Sequence, residues 1–169
     1  MVMQSKDIFE YRATKDWPYA ISSGCVVYRY VGDELQVLLL KRAAGDFPEL
    51  SDNDRDTFHL PKGGVERRET LEQTALRETA EEAGVEVVVR CYLGSSINEW
   101  VSHQGFQQHK TVHYFAGEWQ KDLPSMDQEH SAKLWLPYGE ALHVLQKQQN
   151  PKREERFLQN LQKYLERYA

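Results

Sequence analysis

The stretch at residues 70–83, TLEQTALRETAEEA, constrains this chain more than any other. Thr70 followed by Gln73 makes a capping box and Gly84 is a natural terminator, so the spacing predicts a helix over 70–83. At 100° per residue, Leu71, Ala75, Leu76, Thr79 and Ala83 share an arc of ~140°, the expected core-facing stripe. Glu78, Glu81 and Glu82 crowd the last turns of the same helix on an arc of ~100°. Like charges three and four residues apart repel. Anions near a helix C-terminus also face the wrong end of the macrodipole, at roughly 0.3–1 kcal/mol each. A cation held among them reverses both penalties, and three carboxylates offer hard oxygen ligands suited to Mg²⁺ or Mn²⁺. The plain alternative is a solvated acidic face partly offset by Arg77.

Around this helix the pattern is that of one domain over residues 1–169, with an N-terminal arm over 1–19. Residues 21–30 and 36–42 read as strands joined by a turn at Gly32-Asp33, and the apolar run 37–40 implies burial on both faces. Residues 43–57 read as an acidic loop. Further strands are expected over 85–93, 110–119 and 134–136, and helices over 138–149 and 151–168. Strands interleaved with helices indicate an α/β or α+β sandwich on a mixed sheet. The charge run Lys152, Arg153, Glu154, Glu155 reads as a solvated face.

Composition narrows the function classes. A hydrophobic share of 40% with 28% charged residues fits a folded domain, not a disordered chain. No apolar run approaches the ~20 residues of a membrane span, and a net charge of −5 gives no general attraction to nucleic acid or anionic membranes. Cys25 and Cys91 lie in strand-like runs and read as buried reduced thiols. With no apolar signal core in MVMQSKDIFEYR, a cytoplasmic protein is expected.

Pro61-Lys62-Gly63-Gly64 precedes the acidic helix, where glycine allows close backbone approach and Lys62 suits a phosphate. Gly63, Glu69 and the run Arg77-Glu78-Thr79-Ala80-Glu81-Glu82-Ala83-Gly84-Val85 together resemble the Nudix box, the signature of Nudix hydrolases, over residues 63–85. Two positions depart from it: Thr79, where the family favours an aliphatic residue, and Arg68, where many members have glycine. The resemblance implies an α/β/α sandwich with a mixed sheet and hydrolysis of a nucleoside diphosphate linked to another group. It implies metal ligation by Glu78, Glu81, Glu82 and the Gly63 carbonyl, with Arg77 and Glu69 orienting the carboxylates. Many members add a carboxylate six residues before a tryptophan. Glu129 stands six before Trp135, as a further ligand or the base. A metal-activated water deprotonated by Glu81 or Glu129 would then attack phosphorus in line.

Phe58-His59-Leu60-Pro61-Lys62-Gly63-Gly64, Lys110–Phe115 and Glu129-His130 with Trp135 resemble diadenosine tetraphosphate hydrolases. That implies cleavage of a dinucleoside polyphosphate to ATP and AMP, with Lys62, Arg42, Lys110 and His59 near phosphate and Tyr114 stacking on a base. Residues 133–161 also resemble diphosphoinositol polyphosphate phosphohydrolases, whose substrate would need basic residues such as Arg42, Arg67, Arg68 and Lys110. A binding module without catalysis is the alternative of another class. The expected partner is a small nucleotide or polyphosphate, with no membrane or nucleic acid. Trp100 and Phe106, in an expected loop, would either clamp a base or cap the core.

Overall fold

The computed structural model describes residues 13–16, 18–148 and 153–168; residues 1–12 of the expected arm, with Trp17, lie outside them, as do Gln149, Pro151 and Lys152 of the two expected C-terminal helices. Two long strands open the sheet, β1 (Tyr19–Val31) and β2 (Glu34–Arg42), joined at Gly32, whose φ of 59° suits a residue without a Cβ. Val37, Leu38, Leu39 and Leu40 are all fully buried, as the unbroken apolar run requires. Two short strands not foreseen from the sequence follow, β3 (Thr57–His59) and β4 (Lys62–Gly64).

Helix α1 (Leu71–Ala83) has Thr70 as its N-cap with both halves of the capping box formed, and Gly84 closes it in the left-handed conformation. Then come β5 (Val85–Val101) and β6 (Gln107–Asp122), antiparallel along their length. Both run further than the expected 85–93 and 110–119. The expected loop containing Trp100 is largely the outer end of this hairpin. Strand β7 (Ala132–Pro137), α2 (Tyr138–Lys147) and α3 (Glu155–Tyr168) complete the chain.

The seven strands form one mixed sheet of order β3-β2-β1-β6-β5, with β4 on β1 and β7 on β2. Among the described residues only β1 and β6 pair in parallel, and every other pairing is antiparallel. Strand alternation then divides the core. Cys25, Val27, Leu38 and Leu40 face α1 with Ala75, Ala83, Val85 and Val87. Val26, Tyr28, Val37 and Leu39 face α2 and α3, where Ala141, Leu145, Phe157, Leu158 and Leu161 meet them. This is the α/β/α sandwich.

Burial corrects three readings. Glu154, expected on a solvated face, is 4% exposed, because it immediately precedes α3 on the side that carries Phe157, Leu158 and Leu161 inward. Cys91 is half-buried rather than buried, at a bulge in β5, while Cys25 is fully buried and its thiol is pushed up to about 12 by desolvation. Thr74 joins Ala75, Thr79 and Ala83 in the buried stripe of α1, and Leu71 and Leu76 are half-buried at its margin.

Candidate active site

The site begins with two backbones brought unusually close. Strand β4 pairs with β1 so that Gly63 lies opposite Ser23 and Lys62 opposite Gly24. A Cβ at Gly24 would overlap the Pro61 carbonyl, and one at Gly63 would overlap the Glu78 carboxyl group. A side chain at 63 would displace the Glu78 carboxylate from its place against the β4 backbone, where Arg77 holds it.

Arg77 organises the acidic end of the helix. Its Nε and Nη2 donate to the two oxygens of Glu69 at 2.8 and 2.9 Å, a bidentate pair, and Nη2 also donates to the Gly64 carbonyl at 2.9 Å. Its Nη1 donates to Glu78 Oε1 at 2.8 Å and to Glu81 Oε2 at 3.3 Å. Glu69 is fixed in turn by the Glu66 N–H at 2.9 Å and the Thr74 hydroxyl at 3.1 Å. The Arg77 guanidinium holds the Glu69 carboxyl below the usual carboxylate range. Glu78 goes the other way: burial raises it, against the pull of Arg77.

Glu82 lies beyond this clamp. It is 9% exposed and accepts the Lys62 N–H on Oε2 at 3.1 Å. Burial pushes its carboxyl up to about 8, with the Glu78 and Asp127 carboxylates adding to the effect. The loop between β6 and β7 folds back over the end of α1: the Leu123 N–H donates to the Gly84 carbonyl at 2.8 Å and the Asp127 N–H to the Glu81 carbonyl at 2.7 Å. That fold delivers Asp127 and Glu129, and one oxygen from each of Glu82, Asp127 and Glu129 lies within 4.8 Å of the others. A cleft of about 480 Å³ opens over these groups. Gly63, Gly64, Glu78, Glu82 and Glu129 line its floor, and Trp100, Gln108 and Lys110 of the β5–β6 hairpin line its wall.

Against proteins of known family, residues 18–161 match the NUDIX domain model. The chain belongs to the Nudix family. Among its relatives, the putative mutator protein MutT4 of Mycobacterium tuberculosis is 42% identical over 84 residues, covering 49% of this chain and 34% of that protein. The asymmetrical bis(5'-nucleosyl)-tetraphosphatase of Sus scrofa is 37% identical over 89 residues, covering 51% and 59%. The chain spans about half the length of the curated relatives it matches. In fold it resembles the C. elegans Ap4A hydrolase binary complex, with a TM-score of 0.61 at 20% identity over 87% of this chain and 98% of that one. No helix among the described residues is long and apolar enough to cross a membrane.

The Nudix box residues thus meet in one place: Gly63, Glu78 and Glu82 line the cleft, while Glu81 stands at its edge on Arg77, with its side chain 57% exposed. Glu129 and Lys110, outside the box, reach the same cleft. Tyr114 does not. It is 1% exposed with its ring 4.6 Å from that of Phe157, and full burial, with the Glu154 carboxylate adding to it, raises its hydroxyl well above the usual range. Strand alternation turns it into the core, so the expected stacking role is withdrawn. Arg42 donates from Nε to the Glu129 carbonyl at 3.0 Å and therefore positions the loop. His59 sits 2.7 Å from the Thr57 hydroxyl and faces the His130 ring at 5.6 Å, away from the cleft lining. Asp127 was missed from sequence; its i,i+2 spacing to Glu129 ahead of a strand is the only signal that could have found it.

Proposed function

We propose that this Nudix protein is a divalent-metal-dependent pyrophosphohydrolase that cleaves a phosphoanhydride bond of a dinucleoside polyphosphate, such as diadenosine tetraphosphate, to ATP and AMP. The observation that carries this is the composition of one cleft: Glu78, Glu82 and Glu129 on its floor, with Lys110 and an indole, Trp100, on its wall. The donor set fits Mg²⁺ or Mn²⁺. Glu82 is nine-tenths buried, and among the described residues no ion pair neutralises it or Glu129. Glu78, Glu82, Glu129 and the Gly63 carbonyl would hold the metal, with Glu81 at the margin. When bound, such an ion offsets the charge of the phosphates and lowers the pKa of water.

The remaining work falls to the chain. Arg77 keeps Glu69, Glu78 and Glu81 in fixed rotamers. Glu129, held by Arg42 through its own carbonyl, is the carboxylate placed to take a proton from the attacking water, because Glu81 is occupied by Arg77. Lys110 meets phosphate oxygens, and Trp100, 41% exposed, offers a face for a base. The relationship to the Sus scrofa tetraphosphatase supports the same substrate class. An inositol polyphosphate would have no use for the indole, and the basic residues Arg67 and Arg68 are absent from the cleft lining.

Anion-exchange analysis of products with Mg²⁺ tests this. Diadenosine tetraphosphate should yield ATP and AMP, with kcat lowered at least ~10²-fold in both Glu82→Gln and Glu129→Gln. Faster turnover of diphosphoinositol pentakisphosphate would overturn the substrate, and turnover unchanged by EDTA would overturn the metal.

A further inference from the structure

Outside the Arg77 clamp stand three carboxylates to which, among the described residues, no lysine or arginine side chain forms an ion pair. Glu82, Asp127 and Glu129 bring one oxygen each within 4.8 Å of the others. Two oxygens bound to one Mg²⁺ at ~2.0–2.1 Å lie at most about 4.2 Å apart, so a small closure of side chains brings the trio to a single ion. Repulsion alone would splay them. Instead the backbone holds them together: the Asp127 N–H is tied to the Glu81 carbonyl at 2.7 Å, and Asp127 Oδ1 accepts the Glu129 N–H at 3.1 Å. The loop is further pinned at the Ser131 N–H to the Lys41 carbonyl, 2.7 Å, and at Arg42 to the Glu129 carbonyl.

A separate observation points the same way. The His130 side chain is 3% exposed, and its Nδ1 has no hydrogen-bond partner among the described residues. It faces Asp127 Oδ1 from 3.8 Å, too far for a hydrogen bond. An unbonded buried nitrogen directed at a carboxylate cluster is costly unless the cluster has a further occupant.

Building on the metal-dependent reading above, we propose that Asp127 is a metal-binding residue, and that with Glu82 and Glu129 it forms a divalent-cation site distinct from the Glu78 carboxylate that rests on Gly63 and Arg77. Asp127 lies outside the helix that carries the Nudix glutamates, so the ion would bridge α1 to the β6–β7 loop. In this arrangement Glu82 serves both the helix and the loop.

Titration of metal-free protein with Mn²⁺, read by electron paramagnetic resonance of the free ion with no substrate present, tests the assignment. Asp127→Asn keeps an acceptor for the Glu129 N–H and should bind one Mn²⁺ fewer than the wild type, or bind it at least ~10-fold more weakly. Asp127→Ser, a second variant with a hydroxyl acceptor, should do the same. Glu78→Gln should retain the ion lost in the Asp127 variants. In both Asp127 variants the rise in Tm on adding Mn²⁺ should shrink. Equal stoichiometry and affinity in wild type and both Asp127 variants would overturn the role of Asp127 and leave the metal dependence standing. A wild type that binds no Mn²⁺ would overturn both.

Discussion

Arg68 holds a φ of 64° on the exposed loop leading into α1, in the left-handed region that costs a non-glycine residue roughly 1–2 kcal/mol. It stands where the Nudix box commonly has glycine, and the backbone has kept the glycine conformation under an arginine side chain. Two neighbours enforce it: the Glu69 N–H donates to the Glu66 carbonyl at 3.1 Å, and the Glu66 N–H donates to Glu69 Oε1. The turn must close there so that Glu69 can meet Arg77. Arg68→Gly should therefore stabilise the protein. Relief of the left-handed strain, less the larger entropy glycine loses on folding, leaves a gain of about 0.5–1 kcal/mol, measurable by urea denaturation. An unchanged or lower midpoint would show the arginine is unstrained.

At the scale of elements, the junction of α1 with the β6–β7 loop decides whether the site exists. Gly84 ends the helix at φ 61°, and a Cβ there would come within 2.9 Å of the Ser125 carbonyl oxygen. Gly84→Ala should cost about 1–3 kcal/mol from strain and backbone contact together, and should displace the loop that carries Asp127 and Glu129. Weakened Mn²⁺ binding alongside the lower stability is the expected signature; a pure stability loss with intact binding would mean the loop is positioned elsewhere. Sequence made the helix end of this junction readable, because the capping box, the terminal glycine and the glutamates at three- and four-residue spacing are all local signals. The loop end was not. Asp127 sits in a segment without periodicity, and its partnership with Glu82 exists only after the chain has crossed two strands. The outer hairpin was equally hidden: residues 94–101 scatter Ile97, Trp100 and Val101 among polar residues with no buried apolar face, all three apolar side chains being exposed, and pairing with β6, not alternation, makes them a strand. Tyr114 failed for a related reason: its strand was legible, but the face on which its ring lies is set by register with β1 and β5. Glu154 was lost in a charge run, although Phe157, Leu158 and Leu161 at i+3, i+4 and i+7 place it on the buried side of α3.

For the whole molecule, the buried charges set how stability answers to pH. Glu69, held low by Arg77, contributes its stability at every pH above the ordinary carboxylate range and loses it only on acidification. His130, lowered to about 4, and His113, also lowered, bind protons more readily unfolded, so their contribution grows as pH rises to about 6.5. Glu82 opposes them: with its folded value raised to about 8, its protonated form favours the fold, and that stability is lost as pH rises through about 8. Below pH 6.5 the two trends offset each other; above it the half-protonated histidines of the unfolded chain lose their remaining protons, their opposing contribution fades, and Glu82 dominates the slope towards pH 8.0. Metal-free protein in EDTA should lose roughly 1 kcal/mol between pH 6.5 and 8.0, measured from denaturant midpoints. Glu82→Gln should flatten the slope. Saturating Mg²⁺ should flatten it as well, since an ion bound there holds the carboxylate ionised throughout and replaces the proton as its partner. A slope that survives in Glu82→Gln would place the titrating group elsewhere, and one that persists under Mg²⁺ would mean that Glu82 does not meet the ion.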